Sequence, residues 1–293
     1  MNKNKLGFLT AIISAALYGL MPLLTKTIYD SGSNSFTVAF LRFVICTVVF
    51  FIAFRLTSKE AIGITRKELP KLLLAGASFG FVPVLLYTSY NYLATGLATT
   101  LHFVYPVFVV LGSVLFRIEK LTGKKVICCL LCMAGIIAFY TPGGEISIPG
   151  VLIALASGVL YAFYTVYLTS SGLLSMDPYK LSFWKCLFGM IFIFIVAFAL
   201  GKLSMPGTLK GWGFMLILGL LTAGASFLYQ EAARRVGAQN TAMLSTFEPL
   251  TSVIVGYFAF GEELTGRSLV GIICILLSVI LLSLEGKKTK HAD

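Results

Sequence analysis

The chain repeats itself at a fixed offset of 143 residues. Leu17-Tyr18 returns as Leu160-Tyr161, and Gly7, Leu9, Ala11 and Ser14 return as Gly150, Leu152, Ala154 and Ser157. Phe40 with basic Arg42 two residues on returns as Phe183 with Lys185. Pro106 returns as Pro249, and Leu121-Thr122-Gly123 as Leu264-Thr265-Gly266. One offset that holds from the first segment to the last is a duplication, so the chain should fold as two copies of one unit. The boundary is expected in Thr141-Pro142-Gly143-Gly144-Glu145, giving a first repeat over 1–143 and a second over 144–293.

The copies are apolar. Apolar residues make up 58% of 293 and charged residues 12%, about half the roughly 25% usual for soluble domains. A soluble core could not hide that much apolar surface, so the class is an all-α membrane protein. Segments of about 20 apolar residues are long enough to cross a bilayer. Ten are expected: 6–25, 34–56, 70–92, 96–116, 122–141, 149–168, 179–201, 211–231, 238–260 and 266–284. The first is preceded by Lys3 and Lys5 like a signal peptide, but its repeat at 149–168 is structural, so it reads as retained.

With cytoplasmic termini, seventeen lysines and arginines fall on the inner side and only Lys26, Lys202, Lys210 and Arg267 on the outer. That bias sets the expected orientation: a multi-pass protein of the inner or plasma membrane with both termini cytoplasmic. Five spans per repeat is an odd number, so the second copy enters with inverted topology.

Several function classes fall away. The net charge of +11 comes from helix ends and not from an aromatic-laced patch, so no nucleic-acid partner is expected. The six cysteines all fall within spans, and Cys128-Cys129-x-x-Cys132 lacks a completing histidine or second pair, so no metal is expected. No P-loop or HExxH motif is present, and no cofactor or enzymatic activity is expected.

These features resemble the drug/metabolite transporter superfamily, in particular its EamA-type branch of ten-helix transporters. Glu248-Pro249 followed by Gly261-Glu262-Glu263-Leu264-Thr265 is similar to the family's Glu-Pro, apolar run and Gly-Glu. Tyr105-Pro106 with Ile118-Glu119-Lys120-Leu121-Thr122 is a weaker copy, without the glycine or the earlier glutamate. Phe40-Leu41-Arg42-Phe43 is similar to the family's arginine in the second helix. The resemblance implies two inverted five-helix repeats and transport. It leaves the solute open, because the family carries amino acids, nucleosides, sugars, cations and drugs.

Polar residues inside the membrane are costly, and function is sought there. The candidate solute-binding residues are Tyr18, Arg42, Tyr87, Tyr90, Asn91, His102, Tyr105, Tyr161, Tyr164, Trp184, Lys185, Gln230 and Glu248. Thr241, Ser245, Glu248 and Ser252 share a helical face, with Glu248 expected near the middle of the ninth span. Thr222, Ser226 and Gln230 mark a face of the eighth. Arg42 and Lys185 are repeat counterparts, Lys185 expected to lie shallower. Glu248 and His102 are candidates for carrying a coupling proton. The same tyrosine and serine stripes would also serve plain interhelical hydrogen bonding, and Gly76-x-x-x-Gly80 reads as a close-packing seam.

Two intramembrane cations against one carboxylate favour a small solute with an anionic group, an amino acid or derivative, moved by alternating access. The alternative is a cationic or heteroaromatic compound (quaternary amine, nucleobase or drug), held by Glu248 and aromatic faces. Outside transport, the alternative is a membrane-embedded enzyme or lipid-handling protein. The expected partners are the small solute, the lipid bilayer and a coupling proton, in a monomer or homodimer.

Overall fold

The structure is a computed structural model. It describes residues 3–58, 61–105, 107–109, 122–138, 147–245, 247–262 and 265–289. Pro106, Glu119, the expected boundary at 141–145, and the side chains of Cys128, Cys129, Cys132, Gln230 and Thr241 lie outside the described residues. Among those described there are α-helices, one short 3₁₀ turn and no strand. In chain order the helices are α1 (Lys3–Tyr29), α2 (Ser35–Thr57), α3 (Glu68–Ser89), α4 (Thr95–His102), α5 (Gly123–Ala138), α6 (Ile148–Ser170), α7 (Pro178–Ala199), α8 (Leu209–Leu244), α9 (Phe247–Phe260) and α10 (Gly266–Thr289). Six described stretches, in α1, α2, α3, α6, α7 and α8, are long and apolar enough to cross a membrane, and shorter apolar helices accompany them. Their outer faces carry bare apolar side chains such as Phe198, Ile195 and Leu216. Such a surface suits lipid and would aggregate in water.

Local chemistry sets the helix starts. Asn34 caps α2 by accepting the Thr37 N–H at 3.0 Å, and Asp177 caps α7 by accepting from Tyr179 and Lys180. The caps are repeat counterparts, so Arg42 and Lys185 each sit seven residues past the first residue of their helices. Both are roughly 10 Å deep at 1.5 Å per residue. Lys185 therefore lies as deep as Arg42 and not shallower, since the caps Asn34 and Asp177 and not the edges of the apolar runs set the helix starts.

The largest departure concerns the eighth and ninth spans. The helix expected to stop near 231 runs through to Leu244 as α8, 36 residues long. The break falls at Ser245. Proline explains its place: the Pro249 ring would collide with the Ser245 carbonyl in a continuous helix, but it is tolerated in a first turn. Glu248 therefore stands in the first turn of α9 and not at mid-helix. The first half is interrupted at the equivalent place, since α4 ends at His102 and turns through Phe103-Val104.

The halves are joined by contacts that recur in pairs at the same offset. A Cβ on Gly76 of α3 would lie 2.6 Å from the Phe188 Cβ of α7, and one on Gly219 of α8 would lie 2.6 Å from the Ile45 Cβ of α2. Ser204 N–H donates to Thr37 Oγ1 at 2.9 Å, and Lys180 Nζ donates to the Ala61 carbonyl at 3.2 Å. The first contact lies at the bundle end that holds the α1–α2 turn, the second at the end that holds the α2–α3 connection.

The Gly76/Gly80 seam packs on Gly189, where backbone meets backbone. A Cβ on Gly80 would sit 2.8 Å from the Gly189 Cα and 3.2 Å from its carbonyl oxygen. Neither atom can rotate away. Gly80→Ala is expected to cost about 1–3 kcal/mol through overpacking and to melt several degrees lower in detergent. Gly213→Ala, with open space around it, should stay within about 0.5 kcal/mol of wild type.

Candidate functional site

A cavity that opens to solvent lies where α1, α2, α3, α4, α6, α8 and α9 meet. Both broken segments reach it. His102 and Tyr105 line it from the α4 break, and their repeat counterparts Ser245 and Glu248 line it from the α8–α9 break. Small residues let other helices close on these breaks. A Cβ on Gly19 of α1 would lie 2.6 Å from the Glu248 carbonyl oxygen, and one on Gly158 of α6 would lie 2.7 Å from that of His102.

Eight of the thirteen candidates converge on this cavity: Tyr18, Arg42, Tyr87, Tyr90, His102, Tyr105, Tyr161 and Glu248. Arg42 is buried. Its Nη1 donates to the Tyr87 hydroxyl and approaches Met21 Sδ at 3.8 Å, while its Nε has no partner in the structure. Among the described residues no carboxylate forms an ion pair with it. A guanidinium held by a hydroxyl and a thioether keeps unused donor capacity for an anion.

The aromatic wall is ordered by hydrogen bonds. Tyr18 OH and Ser226 Oγ share one at 2.7 Å. His102 Nδ1 lies 2.8 Å from Ser157 Oγ, whose single proton goes to the Ala154 carbonyl at 2.6 Å. The serine must then accept, so Nδ1 carries the imidazole proton and Nε2 offers a lone pair. Tyr105 and Tyr161 meet edge to face, with centroids 4.6 Å apart.

Four candidates stand elsewhere. Lys185 is buried behind the wall: its Nζ donates to Tyr164 OH at 3.2 Å and sits 4.0 Å from the Phe79 ring centroid. Tyr164 shares that pocket. Trp184 turns away and donates its indole N–H to the Ile62 carbonyl at 2.8 Å. Asn91 is exposed in the turn after α3. Gln230 belongs to α8, its side chain outside the described residues. The sequence reading missed Tyr229, Met21, Phe79 and Thr99, all of which line the cavity. Tyr229 could have been found, since Thr222, Ser226 and Tyr229 follow helical spacing.

At the bundle end that holds the α1–α2 turn, Glu262 gathers four donors. Lys26 Nζ lies 2.9 Å away, the Thr95 N–H 2.8 Å and the Thr95 hydroxyl 2.9 Å from Oε1, and the Gly96 N–H 3.3 Å from Oε2. Ala94, which precedes α4, has no side-chain cap to offer. A carboxylate from the α9–α10 connection therefore caps α4 and complements its dipole. Gly256 makes room for it, since a Cβ there would collide with the carboxylate.

The family model for the EamA-like transporter family matches the chain twice, over residues 5–141 and 148–284. An uncharacterized transporter of Archaeoglobus fulgidus is 27% identical over 92% of this chain and 93% of its own. An uncharacterized inner membrane transporter of Salmonella typhimurium is 25% identical, with both chains fully covered. A solved crystal structure matches with a TM-score of 0.69 and 16% identity, over 97% of this chain and 98% of that one, so the fold is shared. The family model, the relatives and the apolar helices mark a multi-pass membrane transporter. The chain belongs to the EamA-like transporter family.

Burial raises the pKa of the Glu262 carboxyl, but the Thr95 N–H, Lys26 and the Thr95 hydroxyl outweigh it and hold the group below the usual carboxylate range. A lowered folded pKa stabilises the fold above the unfolded value of about 4.3 and loses that contribution as pH falls through the folded pKa. Glu262→Gln should therefore melt lower at pH 7, by about 1–2 kcal/mol for lost charge-assisted bonds. The gap to wild type should close below pH ~4. A gap that persists at low pH would show that the charge is not what holds α4.

Proposed function

We propose that the protein is a secondary active transporter of the cytoplasmic membrane that moves a small amino acid or amino-acid derivative by alternating access. The observation that carries this reading is the pairing of a buried, underused Arg42 with Glu248 on the walls of one cavity. A carboxylate would take the guanidinium's free donor. The tyrosines would hold the organic body, and Glu248 would face an amine or a coupling proton. In hydrocarbon an isolated charge is costly, so each of these groups gains from a solute that complements it.

In this reading the two copies are inverted-topology repeats that rock around the cavity, ten spans in all, with both termini cytoplasmic. The paired Gly76–Phe188 and Gly219–Ile45 contacts support a two-fold relation between the halves. The Thr37–Ser204 and Lys180–Ala61 pair supports inversion, because its members lie at opposite ends of the bundle. The lysine and arginine bias supports the orientation, and the Salmonella relative is named for the inner membrane.

One observation favours a second reading. Six tyrosines line the cavity, at positions 18, 87, 90, 105, 161 and 229. Together with Glu248 they would suit a cationic or heteroaromatic solute.

Glu248→Gln tests the carboxylate's part. It should leave the fold intact and either abolish the response of transport to a pH gradient or weaken solute binding at least 10-fold. Loss of the pH response with binding kept identifies proton coupling, and lost binding identifies a direct contact. Wild-type binding with wild-type pH dependence would remove Glu248 from the mechanism, and a protein that unfolds would make its role structural.

A further inference from the structure

Lys185 is a buried cation that the cavity does not use. It lies at the repeat position of Arg42, at the same depth in its helix. Its surroundings are also counterparts. Arg42 touches Met21, and Lys185 bonds Tyr164, the residue at Met21's repeat position. Met21 is touched in turn by Thr222 at 3.6 Å. Tyr164 packs against Phe79, at Thr222's repeat position, with ring centroids 4.9 Å apart. The two cations thus occupy repeat-equivalent positions with different surroundings: Arg42 lines the cavity, whereas Lys185 does not and lies 4.0 Å from the ring centroid of Phe79, which does.

Among the described residues no carboxylate pairs with Lys185. A phenol and a ring face are weak compensation for an ammonium taken out of water. The two cations also lie toward opposite ends. α2 starts at the end that holds Lys26 and Glu262, and α7 starts at the end where Lys71 and Lys180 bond the facing loops.

We propose that Lys185 is a second anion-binding position, covered by Phe79 in this structure and opened to the other face of the membrane when the transporter turns over. This rests on the inverted-repeat reading above, in which the opposite-facing state exchanges the conformations of the two halves. Lys185 would then take the cavity-lining place that Arg42 holds now, and a solute carboxylate would meet the guanidinium on one side and the ammonium on the other. Arg42 offers a planar fork and Lys185 a point charge, so the Lys185 side binds the anion less tightly.

The test needs no known solute. In a background with the native cysteines replaced, Arg42→Cys and Lys185→Cys are exposed to an anionic, impermeant methanethiosulfonate in sealed vesicles of either orientation. Asp30→Cys and Ser175→Cys, exposed at opposite ends, report sidedness. Arg42→Cys should react at least 10-fold faster from one face and Lys185→Cys at least 10-fold faster from the other. Adding Phe79→Ala should raise the Lys185→Cys rate from the Arg42 face at least 10-fold. If Lys185→Cys does not fold, Tyr164→Cys reports the same pocket. Inert pocket cysteines beside a one-sided Arg42→Cys would overturn this proposal alone, as would reaction from the Arg42 face with Phe79 present. Equal reactivity of both cysteines from both faces would overturn the alternating-access reading and this proposal with it.

Discussion

In hydrocarbon every backbone N–H and C=O must find its partner within the protein, so a spanning helix can be interrupted only where protein or a polar cavity surrounds the break. Two interruptions at repeat-equivalent places, after His102 and at Ser245, therefore shape the rest of the molecule. Pro249 places the second, and each puts a polar pair on the cavity wall: His102 with Tyr105, and Ser245 with Glu248. Glycines at 19 and 158 let neighbouring helices close over the broken turns. The polar centre is a consequence of interrupted backbone, and the helices around it are packed to tolerate it.

The charges follow the same logic at a second level. Arg42 and Lys185 enter the membrane at one depth because Asn34 and Asp177 start their helices at one offset. What surrounds each then decides its state. Arg42 lines the cavity and keeps a buried, unpartnered Nε, whereas Lys185 is folded against Tyr164 and Phe79. At one end of the bundle the Glu262–Lys26 pair ties α1 to the α4 start and the α9–α10 connection. Its charge is compensated by four donors, so it ties these elements together without leaving a lone ion near lipid.

Much of this was legible in the sequence. The duplication, the apolar class and the family motifs are one-dimensional signals, and eight candidate residues do meet at the cavity. Other features needed the third dimension. The Glu248-Pro249 pair marks a helix start as readily as a mid-helix bend, and periodicity cannot separate the two. Trp184 and Lys185 are adjacent, yet one faces the Ile62 carbonyl and the other Phe79. Helix rotation decides that, and an apolar helix with weak amphipathicity does not declare it. Met21 and Phe79 look like plain core residues until the cations beside them are placed.

The central claim is that Arg42 holds the anionic group of the transported solute. Thermal-shift titration of purified wild-type and Arg42→Gln protein tests it most directly, with amino acids, nucleosides, nucleobases and quaternary amines. The account predicts that carboxylate-bearing amino acids or their derivatives raise the melting temperature of the wild type. It also predicts that a folded Arg42→Gln protein loses this response at least 100-fold in affinity, about 2.8 kcal/mol. Stabilisation that survives unchanged in Arg42→Gln, or stabilisation by quaternary amines alone, would contradict it.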